Sequence, residues 1–273
     1  YRLIFGYLGL FIMFIGITML IPLFALIAYP EEAADWYCFV APGCSAIVLG
    51  FGLFSMILKR DKAQLGKHQD AILLVLIWLV SIFVAAVPFI IKGDLNFTQS
   101  IFETTSAFAT IGLTVFNKAC FASHIFVLYR SIICFLGGIG LVLIITSAIS
   151  DRYGLKLYIA EGHNDKLMPN LAKSARLILT IYIGIILLGT GLYVAAGMPV
   201  FDSLIHSISA VATGGFSSSS QGLVAFKETT NWPAVQAISC ILMIMGAINF
   251  LLHMFFITGR FKKFWRDCEI RTF

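Results

Sequence analysis

Apolar residues run along the chain in six long blocks, at 3–29, 38–58, 71–91, 124–149, 172–197 and 234–258. Each can cross a hydrocarbon core about 30 Å thick, which takes about 20 helical residues. Pro, Gly, Asp and Lys collect between the blocks. Two shorter stretches break the pattern: 98–117 (TQSIFETTSAFATIGLTVFN) and 201–220 (FDSLIHSISAVATGGFSSSS). Each begins as an amphipathic helix and runs into Thr-x-Gly-x-[Ser/Thr]. With Thr110 laid over Thr213, residues Ser100, Ser106, Ala107, Ala109 and Gly112 meet Ser203, Ser209, Ala210, Ala212 and Gly215. Twelve helical residues span about 18 Å, roughly half a membrane. The pattern therefore predicts two re-entrant loops, each between two spans. Non-helical backbone at that depth is tolerated where it lines a watery cavity.

Charge gives the expected orientation. The turn after the first block carries Pro30, Glu31, Glu32 and Asp35, with no Lys or Arg. The next turn holds Lys59, Arg60, Lys62, Lys67 and His68; residues 150–176 hold Arg152, Lys156, Lys166, Lys173 and Arg176; the tail holds Arg260, Lys262, Lys263 and Arg266. Basic loops mark the cytoplasmic side. Both termini are thus expected in the cytoplasm of a plasma-membrane protein, the inner membrane if the source is prokaryotic, with the two repeated stretches outside.

Composition agrees: 59% of residues are hydrophobic and 12% charged, far from a soluble domain. The fold class is an all-α polytopic membrane protein. Six cysteines (Cys38, Cys44, Cys120, Cys134, Cys240, Cys268) lack metal-ligand or redox spacing and read as packing residues. No Walker motif, catalytic triad or Arg ladder stands out, which sets aside ATP-driven pumping, enzyme chemistry and voltage sensing of the usual kind. Nucleic acid is not an expected partner.

The chemistry of the repeated stretches suits a cation. Each short helix points its partly negative C-terminus toward the membrane centre. Thr98 or Ser100, with Glu103, is expected to cap the first helix, and Asp202 the second. The extended segments that follow can aim backbone carbonyls at one axis in place of an ion's water shell, with Gly adopting angles other residues avoid.

On FETTSAFATIGLTVF (102–116), SAVATGGFS (209–217), LGGIGLVLI (136–144) and MGAINFLLH (245–253), the chain resembles the Trk/Ktr/HKT superfamily of potassium transporters over essentially its whole length. Its leading pair of spans looks like the extra pair of the TrkH type. The resemblance implies repeated span–pore loop–span units of a potassium-channel-like pore: an N-terminal pair at 1–68, a first unit at 69–151 and a second at 152–273. It implies potassium as the ion, held by Thr110, Ile111 and Gly112 and by Thr213, Gly214 and Gly215. It also implies potassium uptake gated by a cytosolic nucleotide-binding regulatory subunit, and a homodimeric assembly. The family has four units and this chain has two. Residue 1 is Tyr and the chain stops just past a basic turn, so a C-terminal half, or a second chain, is expected to complete the pore. A less selective potassium/sodium pathway and a non-conducting membrane assembly subunit are the alternatives.

Several other residues invite roles. Arg130, a full charge inside a span, can snorkel or pair with Glu103; the pair is favoured, as a support for the first loop. His206 matches Glu103 in the second copy and reads as a hydrogen-bonded packing residue before a pH sensor. Asn249 and His253 read as helix-bridging groups. Gly137, Gly138 and Gly140 read as points of close helix approach before a hinge.

Overall fold

The computed structural model describes residues 2–58, 69–140, 171–248, 250–257 and 259–272. It is helical, with no strand among the described residues. In chain order, α1 is Arg2–Leu20, α2 Tyr37–Leu58, α3 Gln69–Lys92, α4 Phe97–Phe108, α5 Lys118–Ala122 and α6 His124–Ile139; α7 is Leu171–Ala195, α8 Val200–Val211, α9 Trp232–Ala247 and α10 Phe250–Ile257. Two short helices close the tail, α11 Phe261–Phe264 and α12 Cys268–Thr272.

Among the described residues, four segments are long and apolar enough to span a membrane: Ile4–Ile27, Tyr37–Ser55, Ala71–Lys92 and Arg176–Ala195. Apolar α6 and α9 are shorter. The expected block 124–149 leaves the described residues after Gly140. The expected block 234–258 is interrupted: α9 ends at Ala247 and Ile248 is extended (φ −71°, ψ 140°). The first block also departs from a single helix, tightening at Ile21–Ile27 into a 3-10 helix that carries Pro22 in its first turn. The basic segments 59–68 and 150–170, and Asn249, lie outside the described residues.

Helices α1 and α2 form an antiparallel hairpin held by facing glycines. A Cβ on Gly9 would sit 2.6 Å from the Gly50 carbonyl oxygen, and one on Gly16 2.7 Å from that of Gly43. Lipid offers no hydrophobic drive between helices, so close packing over small residues is what holds such a pair. The hairpin packs on α3, α3 packs on α4, and α4 packs on α6. Then α8 packs against α6, α7 and α9. Phe39 of α2, Phe89 of α3, and Phe126 and Tyr129 of α6 form one aromatic cluster, and the Tyr129 hydroxyl donates to the Ala85 carbonyl at 3.0 Å.

The turn after α1 reaches much further along the chain. Its Pro30–Asp35 segment places Glu32 over the start of α6, where Ser123 makes no side-chain cap of its own. Glu32 accepts from the amides of His124 (2.8 Å) and Ile125 (3.0 Å), and its Oε1 lies 2.6 Å from His124 Nδ1. A carboxylate there answers unpaired amides and the positive helix end. Burial alone raises the carboxyl's pKa, but these amides and the imidazole outweigh it and hold it below the ordinary value. Tyr29 stacks on the His124 ring (centroids 3.7 Å apart, 8° between planes), and Lys92 at the end of α3 pairs with Asp35.

Candidate functional site

The two copies of the repeat fold alike where it matters. Helix α4 starts at a capping box: the Asn96 side chain accepts from the Gln99 amide (2.8 Å) and the Gln99 side chain accepts from the Asn96 amide (3.0 Å). The cap is therefore Asn96, not Thr98 or Ser100, because the helix begins a residue earlier than its apolar face suggests. Helix α8 starts after Pro199. Asp202 lies inside its first turn and accepts from the Ser218 hydroxyl rather than capping.

Both helices end in one motif. In the first copy the Thr110 amide donates to Ala107 O (3.1 Å) and the Ile111 amide to Ser106 O (3.0 Å). In the second, Thr213 donates to Ala210 O (3.1 Å) and Gly214 to Ser209 O (2.8 Å). These paired bonds are a Schellman termination, which needs a left-handed residue and usually takes Gly. Here the residue is Thr both times: Thr110 has φ 50° and Thr213 φ 54°, the two non-glycine residues at positive φ among those described. The left-handed region costs an L-residue about 1–2 kcal/mol, and a β-branched residue is a true outlier there. Two residues further on, Gly112 (φ 80°) and Gly215 (φ 71°) are also left-handed.

The loops meet. A Cβ on Gly112 would collide with the Gly214 carbonyl oxygen and lie 3.4 Å from the Gly215 Cα. The structure thus brings together Gly112, Gly214 and Gly215, and places Thr110 and Thr213 at matching turns. Ile111 follows Thr110 and is 57% exposed. Beneath the turns, Gly137 of α6 packs on the Phe108 carbonyl, and Gly246 of α9 packs on the Val211 carbonyl at the matching position. Gly138 faces Ala212, its Cβ site 2.9 Å from that carbonyl oxygen. Close approach accounts for Gly137 and Gly138, while Gly140 has φ 92° and ends α6.

A buried polar network backs the first loop. Glu103 and Arg130 have 0% exposure and pair at 3.1 Å. Glu103 also accepts from Thr114 Oγ1 and the Val115 amide, both at 2.8 Å, and Ser106 Oγ donates to Leu113 O at 2.6 Å. Arg130 Nη1 donates to Thr114 Oγ1 as well (3.1 Å). Its guanidinium carbon lies 4.2 Å from the Phe116 ring centroid and 4.6 Å from that of Phe216. The expected Glu103–Arg130 pair is present, and it braces the loop.

In the second copy His206 stands where Glu103 does. It is buried, and its Nε2 lies 3.3 Å from Ser217 Oγ, the counterpart of Thr114. The hydroxyls of Ser207 and Ser209 are buried without partners. This side of the second loop borders a cavity of about 500 Å³ whose lining includes His206, Ser209, Thr213, Gly215, Ser217 and Ser239. His253 Nε2 lies 2.8 Å from the Met245 carbonyl, so it bridges α10 to α9 across the break at Ile248. The sequence offered Ser217 only as a hydroxyl ending the second loop and Glu32 only as part of an acidic turn, without the contacts they make. Their partners lie 87 and more residues away, and no spacing rule announces them.

Known proteins share this architecture. A family model described as the TrkH cation transport protein matches residues 41–273. The chain is 29% identical over 282 residues to the Trk system potassium uptake protein TrkH of Salmonella typhimurium, covering all of this chain and 57% of that protein. It is 31% identical over 264 residues to the Trk system potassium uptake protein TrkI of Halomonas elongata, covering 94% of this chain and 52% of that one. The crystal structure of the potassium transporter TrkH from Vibrio parahaemolyticus superposes with a TM-score of 0.81 at 27% identity, covering 99% of this chain and 55% of that one. The chain thus spans about half the length of these relatives. With the family model matched across both loops and their flanking helices, the chain belongs to the TrkH family of cation transport proteins.

Proposed function

We propose that this chain supplies two of the walls of a potassium uptake pathway in the plasma membrane. The ion is held by backbone carbonyls of Thr110, Ile111 and Gly112 and of Thr213, Gly214 and Gly215. One observation carries this: both copies hold Thr and Gly left-handed two residues apart, with a residue of the other hand between them. Alternating handedness turns successive carbonyls to a common side, which is what replacing a water shell requires. Strain kept twice at one position, where Gly would relieve it, fits a functional constraint.

The chain is organised as an N-terminal pair at 1–68 and two span–loop–span units at 69–151 and 152–273. Both loops enter from outside and both termini face the cytoplasm. Further units occupy the open side of the second loop, where Thr213 and Gly215 border the 500 Å³ cavity. A cytosolic nucleotide-binding subunit gates the pathway, and the whole works as a homodimer. The similarity to Trk system potassium uptake proteins supports potassium as the cargo. A less selective potassium/sodium pathway is the second reading, favoured by the sparser bonding of the second loop.

The test is growth at limiting potassium of cells lacking their own uptake systems and carrying the complete reading frame. Gly112→Ser puts a side chain onto the Gly214 carbonyl, and Gly215→Ser forces a side chain into a left-handed turn. Each is expected to abolish growth while the protein still reaches the membrane. Unimpaired growth of both variants contradicts the proposal.

A further inference from the structure

Arg130 belongs to the first copy, yet its shortest hydrogen bond is to the second. Nη2 donates to the Ser217 carbonyl at 2.5 Å, while Nη1 holds Glu103 Oε1 and Thr114 Oγ1 at 3.1 Å each. Ser217 occupies in the second loop the place of Thr114 in the first. One guanidinium therefore grips the same position of both loops, once through a side chain and once through the main chain. A ring from each loop lies against it, Phe116 at 4.2 Å and Phe216 at 4.6 Å from the guanidinium carbon. It is fully buried, so water cannot substitute for a lost contact. Besides Arg130, the second loop is held by His206, which reaches Ser217 Oγ at 3.3 Å, and by the Ser218 hydroxyl donating to Asp202; Ser209 makes no strap like that of Ser106.

We propose that Arg130 is a positioning residue that sets the spacing of the two loops, and through it the discrimination between potassium and the smaller sodium ion. This rests on the potassium pathway proposed above. Whether carbonyl selectivity comes from fit or from the number and field of dipoles, it depends on where the two loops stand relative to each other. A planar fork with donors at fixed angles locks that relation. A residue that merely neutralised Glu103 would not. Lysine separates the two roles: its single ammonium can answer Glu103 and Thr114 but cannot reach Ser217 at the same time.

The complete reading frame, with Arg130→Lys, is expressed in uptake-deficient cells, and rubidium uptake is followed under sodium competition. The expected result is a maximal rate within about twofold of the unaltered protein. The sodium concentration that halves uptake is expected to fall about tenfold, the scale of one charge-assisted hydrogen bond. An unchanged competition ratio overturns the assignment. Should Arg130→Lys not reach the membrane, a backbone ester at the Ser217–Ser218 link takes its place. It weakens the Ser217 carbonyl as an acceptor and leaves Arg130 and Glu103 intact. The same loss of discrimination is expected, and its absence overturns the assignment. If the unaltered protein carries no rubidium, the potassium pathway itself fails; if it does and both variants discriminate normally, only the role of Arg130 fails.

Discussion

The two loops share a backbone and differ in what holds it. Loop one is tied by Ser106 to Leu113, by Glu103 to Thr114 and Val115, and by Arg130 to Glu103 and Thr114. Loop two has His206 near Ser217, Asp202 with Ser218, and the borrowed contact from Arg130. Its own helix α9 carries Ser239 at the level where α6 carries Arg130, and Ser239 bonds to Tyr193 at 2.7 Å instead of to the loop. The same turn can therefore be made with or without a charged brace. What both copies keep is the Schellman turn, the left-handed Thr and Gly, and a helix glycine beneath the preceding carbonyl. Those are the features the proposed ion path would use; the brace is what differs between the copies.

That contrast breaks most sharply at Glu103 and its counterpart. Glu103→Ala leaves a buried guanidinium without its anion, which costs about 3–5 kcal/mol. His206→Ala removes a long neutral contact worth about 1 kcal/mol. Thermal unfolding in detergent is expected to show a large drop for the first and a small one for the second. Equal drops would mean that the first loop is not the better braced of the two.

A smaller effect sharpens the same contrast. Ser106→Ala removes the Leu113 strap and is expected to cost about 1 kcal/mol. Ser209→Ala removes a buried hydroxyl with no partner and is expected to be neutral or slightly stabilising. The same unfolding measurement checks both, and a loss at Ser209 equal to that at Ser106 would show a bond the second loop shares.

Much of this was legible along the chain, and the reasons differ by feature. Hydropathy located the long helices because lipid thickness imposes their length. It found the first span, Ile4–Ile27, without showing the change to 3-10 geometry at Ile21 beside Pro22, and it ran through the break at Ile248. The capping box is present in the residues as Asn96 and Gln99, three apart, but the apolar face points to a start at Thr98. The Glu103–Arg130 pair was readable because a buried charge demands a counter-charge and each lay at a matching depth. The Ser217 carbonyl was not readable, since a main-chain acceptor has no letter in the sequence. Nor was Glu32, which caps a helix more than ninety residues away. The left-handed Thr110 and Thr213 were hidden for a different reason: propensity places Gly there, and the structure holds Thr against it.

The central claim is that Gly112 and Gly215 stand on one ion axis. Its most direct test is anomalous scattering from crystals of the complete protein grown in rubidium. The expected result is a peak bounded by carbonyls of 110–112 and 213–215, which fades when sodium replaces rubidium. Rubidium density elsewhere, with these two loops empty or facing lipid, would contradict it.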